Sequence, residues 1–351
     1  FSMKYIIWFC FALVTFFSAA SSSEDLEITP YIVEGQYSSN YIPWQVRLQT
    51  DINGLDSGPY VCGGVVINKN WVLTAAHCVD KVDHSTYLAT EIKVYAGNSF
   101  LTASTEYSVI NVYKHPSYDH STVEHDIALL EIATDITQST PISLLEAAGQ
   151  TRLDNAFSNV WIDEFSTYSQ NNAASVLVSG WGSTHSNLNN QSNQLKQALL
   201  IGVPDSNCDA LWGATSINGS VSICATKINP NNSTSSCGGD SGGPLVWQDP
   251  NYSGDSDGGV RLIGLVSYGR SGGCGLTTSP SVYTEVSNYL AWIGTTTAIS
   301  VPTLNQANVY SHSYNPFDEY RSSNNSNSSG GGSLGIVSLL LLAGVYLKRK
   351  K

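Results

Sequence analysis

The sequence predicts an all-β protein made of short antiparallel strands. Apolar segments rich in β-branched and aromatic residues recur along the chain, and Gly, Asn and Asp separate them. The 30 Gly and 12 Pro among 351 residues argue against long helices or coiled coils. Many short strands with turn signals between them are typical of sandwiches and barrels. The predicted strands are residues 44–49, 61–67, 71–75, 92–95, 108–112, 127–132, 176–180, 197–203, 243–247, 260–267 and 281–284.

The remaining segments are predicted to be less regular. A helix is expected near the end of the patterned region, at residues 286–294. Residues 154–172 are largely polar, which indicates a long loop. Residues 298–329 contain tyrosines without an alternating pattern and end in a run of Ser and Asn, so we expect a flexible linker there.

Composition limits the functional classes. Apolar residues make up 42% of the chain, which is ample for a core. At about 150 residues per domain, the length suits two ordinary domains or one large double-barrel unit. Only 13% of the residues are charged, and the net charge is −12. Because nucleic-acid binding needs a basic surface, we exclude nucleic acid as a partner and expect a soluble, secreted protein.

The first residues have the pattern of a secretory signal peptide. Met3 and Lys4 precede an apolar run at residues 5–17, and small residues follow at 18–20. Such a run is too short for a membrane span, and small residues are what a signal peptidase requires. We therefore expect residues 1–20 to be removed during export.

The last residues carry a second targeting pattern. A Gly-rich motif at 330–333 precedes an apolar run at 334–347, and the chain ends in basic residues at 348–351. Residues 330–351 thus resemble the GlyGly-CTERM sorting tail of Gram-negative bacteria. That resemblance implies a transient inner-membrane anchor, which a rhomboid-type protease removes as the export machinery delivers the protein to the cell surface or the medium. A permanent tail anchor is the alternative.

The cysteines indicate an oxidising compartment. Of the seven, Cys10 leaves with the signal peptide, and an even number of cysteines in an exported chain implies disulfides. Six cysteines allow fifteen connectivities, so the count alone does not choose the pairs. The remaining cysteines are Cys62, Cys78, Cys208, Cys224, Cys237 and Cys274.

Three short motifs carry the residue types needed for nucleophilic catalysis. In chain order, TAAHC contains His77, HDIALL contains Asp126, and CGGDSGGP contains Ser241. A Ser hydroxyl becomes a useful nucleophile when a neighbouring base takes its proton, and imidazole titrates near neutral pH. An acid on the other ring nitrogen fixes the tautomer, and His…Asp…Ser is one of the known triad orders.

With these motifs the sequence resembles the chymotrypsin/trypsin-type serine endopeptidases over residues 32–294. The resemblance implies a protease domain at 32–297, made of two six-stranded antiparallel β-barrels with a C-terminal helix. The first barrel is expected at 44–150 and the second at 173–285, with the active site in the cleft between them.

The resemblance also assigns catalytic roles. Ser241 is the nucleophile, His77 is the general base, and Asp126 orients and stabilises the imidazolium. The backbone N–H groups of Gly239 and Ser241 are the expected donors to the oxyanion. Glycine at 239 permits unusual backbone angles and leaves room for substrate.

The cysteine pairing follows from the same resemblance. Two other cysteine positions of the family are occupied here by Val176 and Trp247, so we expect apolar packing in place of a fourth link. The implied pairs are Cys62–Cys78, Cys208–Cys224 and Cys237–Cys274.

By resemblance, the specificity pocket has Ser235 at its floor, where trypsin-like members have Asp. Ser267, Tyr268 and Gly269 form the substrate-binding strand, and Ser281 stands where Gly is usual. An uncharged pocket would bury Lys or Arg without a partner, which is costly. We therefore predict cleavage after uncharged residues, preferably Tyr, Phe or Leu, with Ser281 favouring medium-sized side chains.

Activation is predicted at the start of the protease domain. The sequence IVEG from Ile32 resembles the mature N-terminus of the family, which makes residues 21–31 a propeptide. The new ammonium group of Ile32 would pair with Asp240 and organise the oxyanion donors. Because Tyr31 precedes the cut, we predict activation by the enzyme itself or by a similar chymotrypsin-like protease.

No cofactor or metal is predicted. His115, His120 and His125 are evenly spaced, but a solvated loop explains them better than a metal site. The family's calcium loop would fall at residues 98–107, where Glu106 is the only carboxylate, so calcium is not expected. We expect a monomer with protein or peptide substrates. The alternative function is a surface-tethered adhesin on a protease scaffold.

Overall fold

The computed structural model describes residues 32–54, 59–183, 191–213, 217–270, 274–275, 279–305 and 312–328. The predicted signal peptide, propeptide and sorting tail lie outside these ranges, so they remain sequence predictions. Within the described ranges, no helix is both long and apolar enough to cross a membrane.

The first half of the chain forms a closed antiparallel barrel. Its strands are β2 (Gln45–Thr50), β3 (Tyr60–Asn68), β4 (Trp71–Thr74), β5 (Lys93–Ala96), β6 (Thr105–Lys114) and β7 (Ala128–Ile132). They pair in the order β2-β3-β4-β7-β6-β5, and β2 also pairs with β5 to close the barrel. A short strand that precedes them, β1 (Gln36–Tyr37), pairs outside this barrel.

The second half forms the second barrel. Its strands are β8 (Ser175–Gly180), β9 (Lys196–Val203), β10 (Ser222–Lys227), β11 (Pro244–Gln248), β12 (Val260–Tyr268) and β13 (Ser281–Glu285). They pair in the order β9-β10-β13-β12-β11-β8, and the β8–β9 pairing closes the ring. β1 pairs with the first two residues of β9. The predicted fold of two six-stranded barrels is therefore confirmed.

The two barrels approach each other closely at glycines. Gly63 on β3 lies against Gly243, and a Cβ on Gly63 would come within 2.7 Å of the Gly243 Cα atom. Any larger residue would push the barrels apart, so glycine is required on steric grounds. This contact brings the loop before β11 to the edge of the first barrel.

Helices occupy the connections and the C-terminal side. They are α1 (Ala147–Val160), α2 (Asp205–Trp212), α3 (Leu290–Thr297), α4 (Val301–Leu304) and α5 (Pro316–Ser328). The helix predicted at 286–294 starts as a 3₁₀ turn over Val286–Tyr289 and continues as α3.

The predicted loop at 154–172 is partly wrong, because α1 extends to Val160. Leu153 and Phe157 are buried and lie four residues apart, which places them on one helical face. Phe157 packs into the space left by Gly202 on β9, where a Cβ would overlap the ring. Two apolar residues in a polar stretch are too weak a pattern to predict a helix.

The predicted flexible linker at 298–329 also differs from the structure, which contains α4 and α5 there. Leu304 and Phe317 are buried in the main apolar cluster. The Glu319 carboxylate accepts hydrogen bonds from the backbone N–H groups of Ser39 and Asn40, at 2.5 and 3.2 Å. Isolated contacts of Leu304, Phe317 and Glu319 therefore hold this segment against the rest of the protein. Such contacts leave no periodic pattern in the sequence.

Candidate active site

Adjacent strands of the first barrel place His77 and Asp126 together. β4 pairs with β7 so that Thr74 lies opposite Ala128. His77 follows Thr74 on a 3₁₀ turn over Ala76–Val79, and Asp126 comes just before Ala128. The His77 Nδ1 atom lies 2.8 Å from Asp126 Oδ2, and the His77 backbone N–H donates to Asp126 Oδ1 at 2.8 Å.

Two residues of the second barrel hold Asp126 from the other side. The Ser267 hydroxyl donates to Asp126 Oδ2 at 2.5 Å, and the Thr284 hydroxyl donates to the backbone carbonyl of Asp126 at 2.7 Å. The side chain of Asp126 is fully buried. Its carboxylate therefore accepts from groups of both barrels, and its orientation is fixed.

Burial and pairing have opposite effects on the pKa values of His77 and Asp126. Burial alone would lower the pKa of His77, but the charge and hydrogen bond of Asp126 outweigh it and raise the pKa above its ordinary value. Burial alone would raise the pKa of Asp126, but His77 and Ser267 outweigh it and lower the pKa. The pair therefore favours an ionised carboxylate that supports a protonated imidazole.

Ser241 lies beside this pair on the loop before β11. Its carbonyl accepts a hydrogen bond from the Gly63 N–H at 2.7 Å. The Sγ atom of Cys78 lies 3.6 Å from that carbonyl oxygen and 3.8 Å from the Nε2 atom of His77. The three residues singled out by the sequence motifs are thus brought to one place.

The backbone around Ser241 adopts conformations suited to glycine. Gly239 has φ of +96° and Gly242 has φ of +75°. The Gly238 carbonyl accepts from the Ser183 N–H at 2.6 Å, which fixes the peptide that leads into Gly239. A side chain at 239 would also approach the backbone of Gly182 to 3.0 Å.

Asp240, the residue before Ser241, is buried. Its Oδ1 atom accepts from the Gly182 N–H at 2.8 Å, and its Oδ2 atom accepts from the Cys237 N–H at 2.9 Å. Burial raises the pKa of Asp240 to about 7, although these hydrogen bonds and the charge of Lys196 oppose the shift. The side chain of Ile32 is also buried, in the apolar cluster of the second barrel.

A cavity of about 290 Å³ opens beside Ser241. Ser235 and Ser281 both line it, with their hydroxyl oxygens 3.3 Å apart. Two cations also line it, Lys227 and Arg270, and none of the described lining residues is a carboxylate. The full set of predicted pocket residues lines this cavity: Ser235, Ser267, Tyr268, Gly269 and Ser281.

The two cations were missed by the sequence analysis. Lys227 is the last residue of β10, and its Nζ atom donates to the Asn232 carbonyl at 2.8 Å. Arg270 donates to the Trp212 carbonyl at 2.8 Å and lies over the Trp212 ring. The sequence carried no signal for Lys227, because β10 itself was not predicted as a strand.

The described chain contains three disulfides, and two of them lie at the site. The Cys237–Cys274 bond lies at the cavity, since both cysteines line it, and the Cys62–Cys78 bond lies beside His77. The pairs in the structure are Cys62–Cys78, Cys208–Cys224 and Cys237–Cys274.

The evenly spaced histidines do not form one cluster. His115 and His125 stack on each other with ring centres 5.4 Å apart, close to Tyr289. His120 lies elsewhere, with its ring centre 3.9 Å from that of His84. The even spacing of the three histidines did not predict which of them lie together, because the chain turns back on itself between β6 and β7.

Comparison with known proteins gives matches across both barrels. The family model described as Trypsin matches residues 32–293. Hypodermin-B of Hypoderma lineatum is 28% identical over 294 residues, which cover 83% of this chain and 97% of the relative. Trypsin alpha of Drosophila melanogaster is 30% identical over 256 residues, covering 72% and 82%. Trypsin alpha of Drosophila erecta is 30% identical over 253 residues, covering 72% and 81%.

Proposed function

The chain belongs to the trypsin family of serine endopeptidases, and on that basis we propose that His77, Asp126 and Ser241 are its catalytic triad. The observation that carries this proposal is the contact of His77 with the buried Asp126, which both barrels hold within reach of the Ser241 loop. No other pair in the described chain combines an imidazole, a buried carboxylate and a Ser-bearing glycine-rich loop at a cavity.

The proposed reaction follows from this arrangement. His77 Nε2 takes the Ser241 hydroxyl proton as Oγ attacks the peptide carbonyl, and Asp126 stabilises the resulting imidazolium. The N–H groups of Gly239 and Ser241 stabilise the oxyanion. The C–N bond then breaks, the amine leaves with the proton from His77, and water hydrolyses the acyl-enzyme through the same base.

Turnover by the Ser241→Ala variant tests this proposal against the adhesin alternative. A peptidase loses hydrolysis of peptide substrates in that variant while it retains its fold and substrate affinity. An adhesin on a protease scaffold would show no turnover in the wild-type protein. If the Ser241→Ala variant hydrolysed peptides as fast as the wild-type protein, the nucleophile would be a different residue.

We further propose that the enzyme cleaves after uncharged residues, with Tyr, Phe and Leu preferred. Ser235 offers a hydroxyl at the pocket floor, and Lys227 and Arg270 add positive charge to the wall. A substrate Lys or Arg would be desolvated without a counter-ion and next to like charges, which is costly. Family membership does not oppose this, because pocket residues set specificity on a shared scaffold.

A cleavage profile on a mixed peptide library measures this preference. We expect cuts after Tyr, Phe and Leu and few after Lys or Arg. A dominant preference for Lys or Arg contradicts the proposal and leaves the triad assignment intact.

Activation at Tyr31–Ile32 is a further part of the proposal. The buried Asp240 carboxylate lies behind the oxyanion residues, and a new ammonium at Ile32 would stabilise its ionised form. The proposed pocket accepts Tyr31, so the enzyme or a similar protease can make the cut. The test adds trace mature enzyme to Ser241→Ala precursor and sequences the new N-terminus. Survival of Tyr31–Ile32 while a Tyr peptide is cut contradicts self-activation.

For location, we propose a secreted or cell-surface enzyme. Three disulfides are stable in an oxidising compartment, and the signal-like residues 1–20 provide a route of export. The Gly-rich and apolar residues 330–351 would act as a bacterial sorting tail, removed near residues 330–333. Mass analysis of the exported protein tests this, and an extracellular product that retains residues 348–351 contradicts it.

A further inference from the structure

Two loops that flank the candidate active site bring three potential metal ligands together. Asp80 follows the 3₁₀ turn that carries His77, and His120 lies on the turn before Asp126. The Asp80 Oδ2 atom lies 3.4 Å from His84 Nδ1 and 3.1 Å from His120 Nδ1. One ligand atom from each of the three residues lies within 4.8 Å of the others.

Lys114 fixes this arrangement. Its Nζ atom donates to Asp80 Oδ1 at 2.5 Å, which orients the carboxylate and leaves Oδ2 facing the two imidazoles. The same Nζ atom donates to the His84 carbonyl at 2.9 Å. His84 has φ of +64°, and its N–H donates to the Lys81 carbonyl at 2.9 Å. The imidazole of His84 is therefore presented by a turn that is held from two sides.

The three side chains differ in solvent exposure, and this difference leaves a route by which an ion can enter from solvent. The Asp80 side chain is only 3% exposed, whereas His84 and His120 are 55% and 58% exposed. The Asp80 carboxylate is therefore held in the protein interior, and solvent can reach the cluster on the side of the two imidazoles. An ion arriving from solvent would meet both imidazoles and could keep a water ligand.

We propose that Asp80, His84 and His120 form a binding site for a transition-metal dication of the Zn²⁺ class. Two imidazoles and one carboxylate, with water in the fourth position, are a common zinc ligand set. Ca²⁺ and Mg²⁺ prefer six or more oxygen ligands and are disfavoured here. The site uses none of the triad residues, and it joins the loop after His77 to the loop before Asp126.

Calorimetric titration of the Ser241→Ala protein with ZnCl₂ tests the site independently of catalysis. The Ser241→Ala background prevents self-digestion during the measurement. We expect one Zn²⁺ per chain and no response to Ca²⁺ or Mg²⁺. His84→Ala and His120→Ala should each weaken binding at least about tenfold, because even the loss of an outer-shell partner costs that much. His115→Gln is the matched control and should bind as the parent does.

Co²⁺ provides a second readout. Its visible absorption reports tetrahedral nitrogen and oxygen coordination, and this band should disappear in His120→Ala. Unchanged Zn²⁺ affinity in both His84→Ala and His120→Ala overturns the proposal. Binding that is lost only in a His77→Ala variant also overturns it, because the ion then occupies the triad.

Discussion

Val176 and Trp247 lie directly opposite each other on strands β8 and β11. The family resemblance assigns a further pair of cysteines to these two positions. Both side chains are buried, and the Trp247 indole N–H donates to the Ala173 carbonyl at 2.8 Å. Packing of a large indole against a β-branched residue therefore joins the two strands at the place where the resemblance implies a covalent bond.

Trp247→Ala should reduce stability strongly. Truncating a buried aromatic side chain leaves a cavity and costs about 3–5 kcal/mol in the free energy of unfolding. The lost hydrogen bond also leaves the Ala173 carbonyl without this donor. Urea unfolding of the Ser241→Ala protein with and without Trp247→Ala measures the difference.

The double variant Val176→Cys/Trp247→Cys is the informative comparison. A disulfide that closes so long a loop contributes about 4 kcal/mol, which roughly offsets the loss of the indole. We expect the oxidised double variant to stay within about 2 kcal/mol of the parent. A much more stable double variant would show that the indole contributes little.

Sequence patterns predicted eleven of the twelve barrel strands, and the three motifs named residues that lie close together in the structure. The strands are buried on one or both faces and read as apolar runs, so only their ends shifted by a few residues. β10 was missed because Ser222–Lys227 mixes small, polar and charged residues in a strand that lies between β9 and β13. Long-range pairing, rather than local pattern, makes it a strand.

Other features depend on contacts between distant residues. Lys227 and Arg270 reach the cavity only because β10 and the loop after β12 meet there. The Asp80–His84–His120 cluster similarly requires two loops to fold onto each other. No spacing rule along the chain encodes such contacts.

Asp126→Asn should lower activity and shift its pH dependence. The proposed mechanism needs neutral His77, and Asp126 raises the pKa of His77 against the effect of burial. Without that charge the pKa falls, so the acid limb of kcat/KM moves to lower pH. The maximum should fall by about 10⁴-fold, the size known for this substitution in the family. Asp135→Asn, an exposed partner of Lys69, is the control and should leave the profile unchanged.

Ser281→Gly should widen the specificity pocket. Ser281 lies beside Ser235 in the cavity wall, with their hydroxyl oxygens 3.3 Å apart, and the Ser281 hydroxyl occupies space that a substrate ring could fill. We expect kcat/KM for Phe and Tyr peptides to rise about tenfold relative to Leu peptides, within the range for small changes in pocket volume. Ser281→Thr should shift the ratio in the opposite direction. Equal ratios in both variants would contradict a role for residue 281 in size selection.

Phe317→Ala should destabilise the protein although it lies far from the proposed triad in sequence. Phe317 is fully buried in the main apolar cluster, so truncation should cost about 3–5 kcal/mol. Asp318→Ala is the neighbouring control, since the Asp318 side chain is 71% exposed. Thermal unfolding measures the stability of both variants. An equal loss of stability in both would mean that α5 does not support the core.

Asp240 should make the stability of the uncut precursor pH-dependent. Its pKa is raised from 3.8 to about 7 in the folded protein, chiefly by burial. The folded state therefore keeps a proton that the unfolded chain releases. This contribution is fully present below pH 3.8 and is lost as the pH rises through 7. Urea unfolding of Ser241→Ala precursor at several pH values measures the slope, with Ser241→Ala/Asp240→Asn as the comparison.

The free energies of unfolding of the two precursors should change with pH at rates that differ by up to about 1.4 kcal/mol per pH unit, which is the effect of one bound proton. Lys196 faces Asp240, and burial lowers its pKa to about 7, so it raises stability above that pH. Measurements between pH 4 and 6.5 therefore isolate the carboxyl. Other buried acids, such as Glu285, contribute equally to both precursors. Cleavage at Tyr31–Ile32 should remove this difference between pH 4 and 6.5, because the new ammonium favours ionised Asp240 and the carboxyl then carries no proton in either the folded or the unfolded state. Parallel slopes before and after cleavage would show that Asp240 does not sense the new N-terminus.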